Sequence, residues 1–110
     1  MSPRRVAGPP RWQDPLLDEA ALDVARRLRG ALAVLRDLGQ ERWVRYLEPL
    51  LPVFEDGDQA DLLAVCRRAR AAFGPRDSLP EAWPSADAPL LRDSIDRLQR
   101  LLDRRTALRS

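Results

Sequence analysis

Four carboxylates within seven positions form the densest group of side chains that could do chemistry: Glu55, Asp56, Asp58 and Asp61. Carboxylate oxygens bind calcium in EF-hand loops, where a bidentate glutamate completes the site at the twelfth position. Counted from Asp56 as the first position, the twelfth residue is Arg67, which cannot bind a cation. The spacing therefore favours a turn and a helix cap over a metal site.

Nucleophilic catalysis lacks its usual partners in this chain, because histidine is absent. Without histidine, a serine or cysteine nucleophile has no conventional activating base. The single cysteine, Cys66, cannot form a zinc site alone. The five glycines follow neither common spacing of a phosphate-binding loop. We therefore predict a protein that is not an enzyme and that binds no cofactor and no metal.

Cys66 stands at helical spacing with Leu62 and Ala69, and this pattern predicts a buried small hydrophobe. A lone cysteine also indicates a reducing compartment. Apolar stretches end well before the roughly 18 residues that a membrane span requires. Gly8 and Pro9 stand where a signal peptide would need an apolar core. We expect a cytoplasmic protein that makes no contact with a membrane.

The elements that must position these side chains are helices of one domain. A chain of 110 residues, 45% apolar and 33% charged, has the composition of a single globular domain. Four segments repeat apolar residues at helical steps, and none alternates as a strand would. We predict an all-α fold: a mostly antiparallel four-helix bundle over residues 14–110, with helices at about 15–38, 40–55, 59–73 and 89–108, after a flexible basic arm at 1–13.

Local signals predict the helix ends. Asp14, followed by proline, is a helix start, and Gly39 is a left-handed cap that ends the first helix. Pro49 and Pro52 fall inside the second helical pattern and predict a kink or break near Glu48.

The second half of the chain carries similar signals. Asp58, with Asp61 three residues later, resembles a cap for the third helix. Three prolines in the segment Gly74–Ala88 predict a long loop, either functional or loosely ordered, and Pro89 opens the last helix.

A tryptophan-bearing helix, a Gly-Asp turn, a helix that ends in Phe-Gly and a Ser-Leu loop follow one another between Trp43 and Trp83. The order resembles a family of small uncharacterised bacterial helical proteins, and the resemblance implies a helical fold and no particular function. In the loop this chain departs from the family pattern. The matching residues are Trp43, Leu47, Gly57, Asp58, Leu62, Phe73, Gly74, Ser78 and Leu79.

The basic residues are all arginine, 19 in number, which is typical of a GC-rich bacterial genome. They concentrate at the two ends of the chain, in Arg4, Arg5 and Arg11 and in the last helix. The two ends of such a bundle lie together, so a basic patch for nucleic acid is one interpretation. Ordinary solvent-facing arginines are the other. Within the last helix, Asp93 and Asp96 stand four residues before Arg97 and Arg100, and this spacing predicts ion pairs.

Tryptophan indicates a different partner. Trp43 falls on an apolar helix face, whereas Trp12 and Trp83 fall in the arm and the loop, where they either cover an open end of the bundle or contact a protein. We predict a non-enzymatic protein-interaction module (an adaptor, a regulator or a toxin-neutralising partner), with nucleic-acid binding as the alternative. The predicted partner-binding residues are Trp12, Arg76, Trp83, Arg97, Arg100, Arg104 and Arg105.

The last helix has more leucine than one buried stripe needs. Leu90 and Leu101 lie off the line through Leu91, Ile95 and Leu98. The surplus predicts either a homodimer through this helix or a wide stripe buried within one chain.

Overall fold

The computed structural model describes residues 11–75 and 78–109, of which most are helical and none lies in a strand. The all-α prediction is confirmed for this part of the chain. Among the same residues, no helix is long and apolar enough to cross a membrane. The α-helices are α1 (Pro15–Asp37), α2 (Glu41–Leu47), α3 (Leu51–Asp56), α4 (Gln59–Ala71), α5 (Leu79–Ala82) and α6 (Asp87–Arg109), with 3-10 turns at Arg11–Gln13 and Glu48–Leu50.

Both ends of α1 follow from the local sequence, as predicted. The Asp14 carboxylate accepts a hydrogen bond from the backbone N–H of Leu17, and Pro15 occupies the first helical position, where a missing N–H costs nothing. At the other end Gly39 has a φ of 70°, a conformation that favours glycine. The N–H of Gln40 donates to the carbonyl of Leu35, which closes a Schellman motif.

The two prolines divide the predicted second helix. Helix α2 ends at Leu47, a 3-10 turn spans Glu48–Leu50, and α3 begins at Leu51. Each proline lacks the N–H that an α-helical hydrogen bond requires, so the backbone changes from an α-helix to a 3-10 turn at Pro49. The predicted break near Glu48 is confirmed, and one helix over 40–55 becomes two short ones.

Part of the predicted loop before the last helix is helical. It contains the one-turn helix α5, whose first residue, Leu79, is fully buried and donates its N–H to the carbonyl of Ala72. Helix α6 begins at Asp87, two residues before the predicted start. The Ser85 hydroxyl accepts the N–H of Asp87 there, and Pro89 is tolerated because it falls within the first turn.

Helix α1 lies at the centre of the fold and contacts α2, α3 and α6, while α4 contacts α3 and α6. The core positions predicted for α6, such as Leu91, Ile95 and Leu98, are buried. The apolar residues that repeat at helical steps along α1 are buried as well: Leu17, Ala21, Val24, Leu28, Ala31 and Leu35. Trp43 of α2 is buried as predicted. The largest side chains with less than 2% of their surface exposed include Phe54, Leu17, Leu28, Leu32, Leu35, Leu47, Leu62, Leu79, Leu91, Ile95 and Leu98.

Candidate interaction surface

Cys66 does not have the properties of a nucleophile. It lies on α4 with none of its surface exposed, and burial, together with the charge of Asp103, raises the pKa of the thiol to about 12. A thiol with this pKa stays protonated near neutral pH and is a poor nucleophile. Within the described ranges, no three carboxylate or cysteine side chains are grouped so that they could hold a metal ion.

Trp83 packs into the core instead of standing free. It is 4% exposed, and its ring lines a groove beside Gly30 and Val34 of α1. This position favours the interpretation in which the ring covers an open part of the helical packing. The side chain of Trp12 and the whole of Arg76, both predicted to bind a partner, lie outside the described residues.

Arg11 is buried, although the sequence places it in the basic arm. Its Nε–H donates to Asp18 at 2.7 Å and its terminal nitrogens donate to the carbonyls of Val53, Phe54 and Gly57. This guanidinium therefore joins the start of α1 to the end of α3 and is not available to nucleic acid. No periodicity marks it in the sequence, because its partners are up to 46 residues away.

Two of the charges of α6 are bound within the fold. Arg105 donates to the carboxylate of Asp14 at 2.6 Å, so a predicted partner-binding residue holds the start of α1. Asp96 lies 2.5 Å from the guanidinium of Arg70 on α4. The prediction that Asp96 pairs with Arg100 is wrong, because the packing of α4 on α6 supplies another arginine.

Four predicted partner-binding residues are exposed: Arg97, Arg100, Arg104 and Arg105, the last with its guanidinium bound to Asp14. Among the described residues none of the first three has a carboxylate within 4.0 Å. They stand at helical steps of three and four, so their guanidinium groups share one face of α6. The structure thus brings these three together and separates Arg105 and Trp83 from them.

Grooves run where α1 meets α6, and large apolar side chains are exposed beside them. Leu22 of α1 is 46% exposed and lines one groove together with Arg97, while Val34 lines another beside Trp83. We use the name α1–α6 surface for the exposed large apolar residues of these two helices together with three exposed arginines of α6: Leu16, Leu22, Val34, Leu90, Arg97, Arg100 and Arg104.

The α1 part of this surface was not predicted from the sequence. Leu16 and Leu22 lie off the buried stripe of α1, and this offset is the signal that identifies them. The same reasoning applied to α6 predicts exposure of Leu90, which is 45% exposed, whereas Leu101 is half-buried against the core.

Comparisons of the chain with models of known protein families, with curated proteins and with solved structures find no match. The resemblance to a family of small bacterial helical proteins stays a prediction.

Proposed function

We propose that this chain is a non-enzymatic protein-binding module that holds its partner on the α1–α6 surface. The observation that carries the proposal is the position of exposed Leu22 beside Arg97, in one groove between two helices. Exposed apolar side chains next to arginine are typical of protein interfaces, where leucine supplies burial and arginine supplies directional hydrogen bonds. An adaptor, a regulator or a toxin-neutralising protein would use such a surface.

A binding role also agrees with the groups that the fold keeps from reacting. Cys66 is buried with its pKa raised to about 12, and Tyr46 donates its hydroxyl to the carbonyl of Arg68. The unpaired buried cysteine supports a location in a reducing bacterial cytoplasm.

We further infer that the helices form an antiparallel four-helix bundle in which residues 41–56 act as one kinked helix. Three contacts between helices support this arrangement. Asp14 binds Arg105 at opposite ends of α1 and α6, Glu48 binds Arg36, and Arg70 near the end of α4 reaches Asp96 in the first half of α6.

A capture experiment with matched variants tests the protein-binding proposal. The purified chain is immobilised and exposed to a lysate of the bacterium that produces it, in three forms: wild type, Leu22→Glu and Leu38→Glu. Leu38 is 54% exposed and lines neither of the two grooves described above, so it controls for adding a carboxylate in place of an exposed leucine.

The expected result is a protein that the wild type and Leu38→Glu retain and Leu22→Glu loses, and that binds the wild type again when both are purified. Capture of the same proteins by all three forms would show that the α1–α6 surface is not the binding site.

Nucleic-acid binding is the second candidate, and the free arginines Arg97, Arg100 and Arg104 favour it. Of the other predicted contributors, Arg11 is buried, and Arg105 is exposed but has its charge paired with Asp14. A gel-shift titration of duplex DNA and of RNA at low and high salt tests this candidate. Binding would weaken as salt rises, because each phosphate contact releases counterions. Arg104→Glu would weaken binding at every salt concentration and reduce its salt dependence, because one phosphate contact is lost.

A further inference from the structure

The exposed face of α6 separates its charges along the helix. Beginning at Asp87, successive steps of three or four residues connect six side chains, and Leu101 lies four residues after the fourth of them, so all seven stand on one face. Carboxylates occupy the first half of this face and arginines the second. We call it the α6 outer face: Asp87, Leu90, Asp93, Arg97, Arg100, Leu101 and Arg104.

Packing of the fold produces this separation. Helix α6 also carries Asp96 and Asp103, which would mix the signs if they stood on the same face. Asp96 binds Arg70 of α4, and Asp103 accepts a hydrogen bond from Gln99, which does not belong to the α6 outer face. With Asp96 bound to α4 and Asp103 bound to Gln99, the α6 outer face is acidic at its start and basic at its end.

A face with this pattern is complementary to itself when a second copy runs in the opposite direction. The acidic half of one helix then lies against the basic half of the other, and a two-fold axis forms each contact twice. A parallel copy would instead place arginine against arginine.

We propose that the partner on the α6 outer face is a second copy of this chain, with the two α6 helices antiparallel about a two-fold axis between Ser94 and Arg97. This inference rests on the proposed protein-binding function and names its partner.

The spacing of the side chains sets the register of the pair. With the axis between Ser94 and Arg97, Leu90 lies opposite Leu101 of the second copy and Asp87 lies opposite Arg104. A helix rises about 1.5 Å per residue, so Asp87 and Arg104 are about 26 Å apart along α6 and define two ends of the contact.

The contact continues from α6 onto α1. Arg97 lines a groove together with Leu22, and exposed Leu16 lies two residues before Asp18, an acidic residue of that groove. A second α6 docked near Arg97 would cover Leu22 as well as Leu90. The leucines would supply apolar burial and the charges would set the antiparallel direction.

Sedimentation equilibrium of the full chain tests the proposal, with a charge exchange as its central variant. Wild type at about 100 µM is expected to sediment at twice its 12.5 kDa mass. Arg104→Glu places like charges opposite each other twice and should raise the dimer Kd by about tenfold. The double variant Asp87→Arg with Arg104→Glu exchanges the two charges and should restore most of that affinity.

Arg92→Glu is the matched control, because Arg92 is an exposed arginine of α6 that does not belong to the α6 outer face. It should leave the Kd within about twofold of wild type. Circular dichroism checks that each variant keeps its helices.

A wild type that stays a monomer overturns the proposal. A dimer that Arg104→Glu does not weaken, or that the double variant does not restore, overturns the proposed register. If the wild type is a monomer and still captures a protein that Leu22→Glu loses, the protein-binding function stands and the partner is another chain. If Arg104→Glu weakens duplex binding by a monomer, the face binds nucleic acid instead.

Discussion

Arg105 in the last helix binds Asp14 at the start of the first, across 91 residues of sequence. The Asp14 side chain is 12% exposed, and it caps α1 through the N–H of Leu17 while it accepts the guanidinium. One carboxylate therefore connects a local signal, the helix cap, to the tertiary contact that holds the two ends of the domain together.

The two roles of Asp14 can be separated by substitution. Asp14→Ala removes the cap and the ion pair and should lower the free energy of unfolding by about 1–2 kcal/mol. Asp14→Ser keeps a capping oxygen and loses only the ion pair, so its loss should be under about 1 kcal/mol. Urea unfolding measures both values. Equal losses for the two variants would show that the cap contributes nothing.

The loss of the Arg11 side chain is expected to lower stability more than the loss of the exposed Arg26 side chain. Arg11→Ala removes the ion pair with Asp18 and the buried hydrogen bond to the carbonyl of Phe54, and should cost about 2–3 kcal/mol. Arg11→Lys keeps the charge but not the planar array of donors, so it should recover only part of the loss. Arg26, with a side chain 74% exposed, is the control, and Arg26→Ala should change stability by under about 0.5 kcal/mol in the same urea titration.

Two glycines are expected to respond to alanine in opposite directions. Gly30 lies within α1, and an added Cβ meets nothing within 4 Å, so Gly30→Ala should stabilise the fold by about 0.5–1 kcal/mol. A Cβ on Gly57 would stand 2.6 Å from Val53 Cγ1 and 2.7 Å from its carbonyl oxygen. Gly57→Ala should therefore destabilise by about 1–3 kcal/mol. Thermal unfolding of both variants gives the signs, and a stabilised Gly57→Ala protein would contradict the packing described for that turn.

The raised pKa of the Cys66 thiol leads us to expect a loss of stability at alkaline pH. Its pKa rises from an ordinary 9.0 to about 12 in the fold, chiefly because burial disfavours the thiolate. Above pH 9 the unfolded chain releases the proton and the folded chain keeps it, so the free energy of unfolding falls as pH rises toward 12. The loss approaches roughly 4 kcal/mol at most, from about 1.4 kcal/mol for each pH unit.

Cys66→Ala serves as the control for the alkaline loss. Groups other than the thiol are common to both proteins, so the difference in slope between them isolates Cys66. Guanidinium unfolding at a series of pH values from 8 to 11, well buffered, measures it. Parallel curves for the two proteins would contradict a buried neutral thiol.

The helix ends and the core stripes were predictable from sequence, because the groups that set them lie within a few residues of each other. Asp14, Gly39 and Asp58 satisfy backbone groups three to five residues away, and the stripe of α1 repeats within each turn. The exposed arginines Arg97 and Arg100 could be identified in the same way, since helical spacing places them on one face.

Only the tertiary structure decided which charges and rings stay free. Asp96 binds Arg70 and not Arg100, Arg11 binds a carbonyl at the end of α3, and Trp83 is buried in the core. Each of these contacts joins residues that are far apart in the chain. Helical periodicity does not indicate which distant element packs against a given face. The sequence by itself therefore determined the helices and the apolar stripes that they bury. Packing of the helices decided which side chains stay on the outer surface, because a residue 26 or more positions away can bind a charged side chain that local spacing leaves exposed.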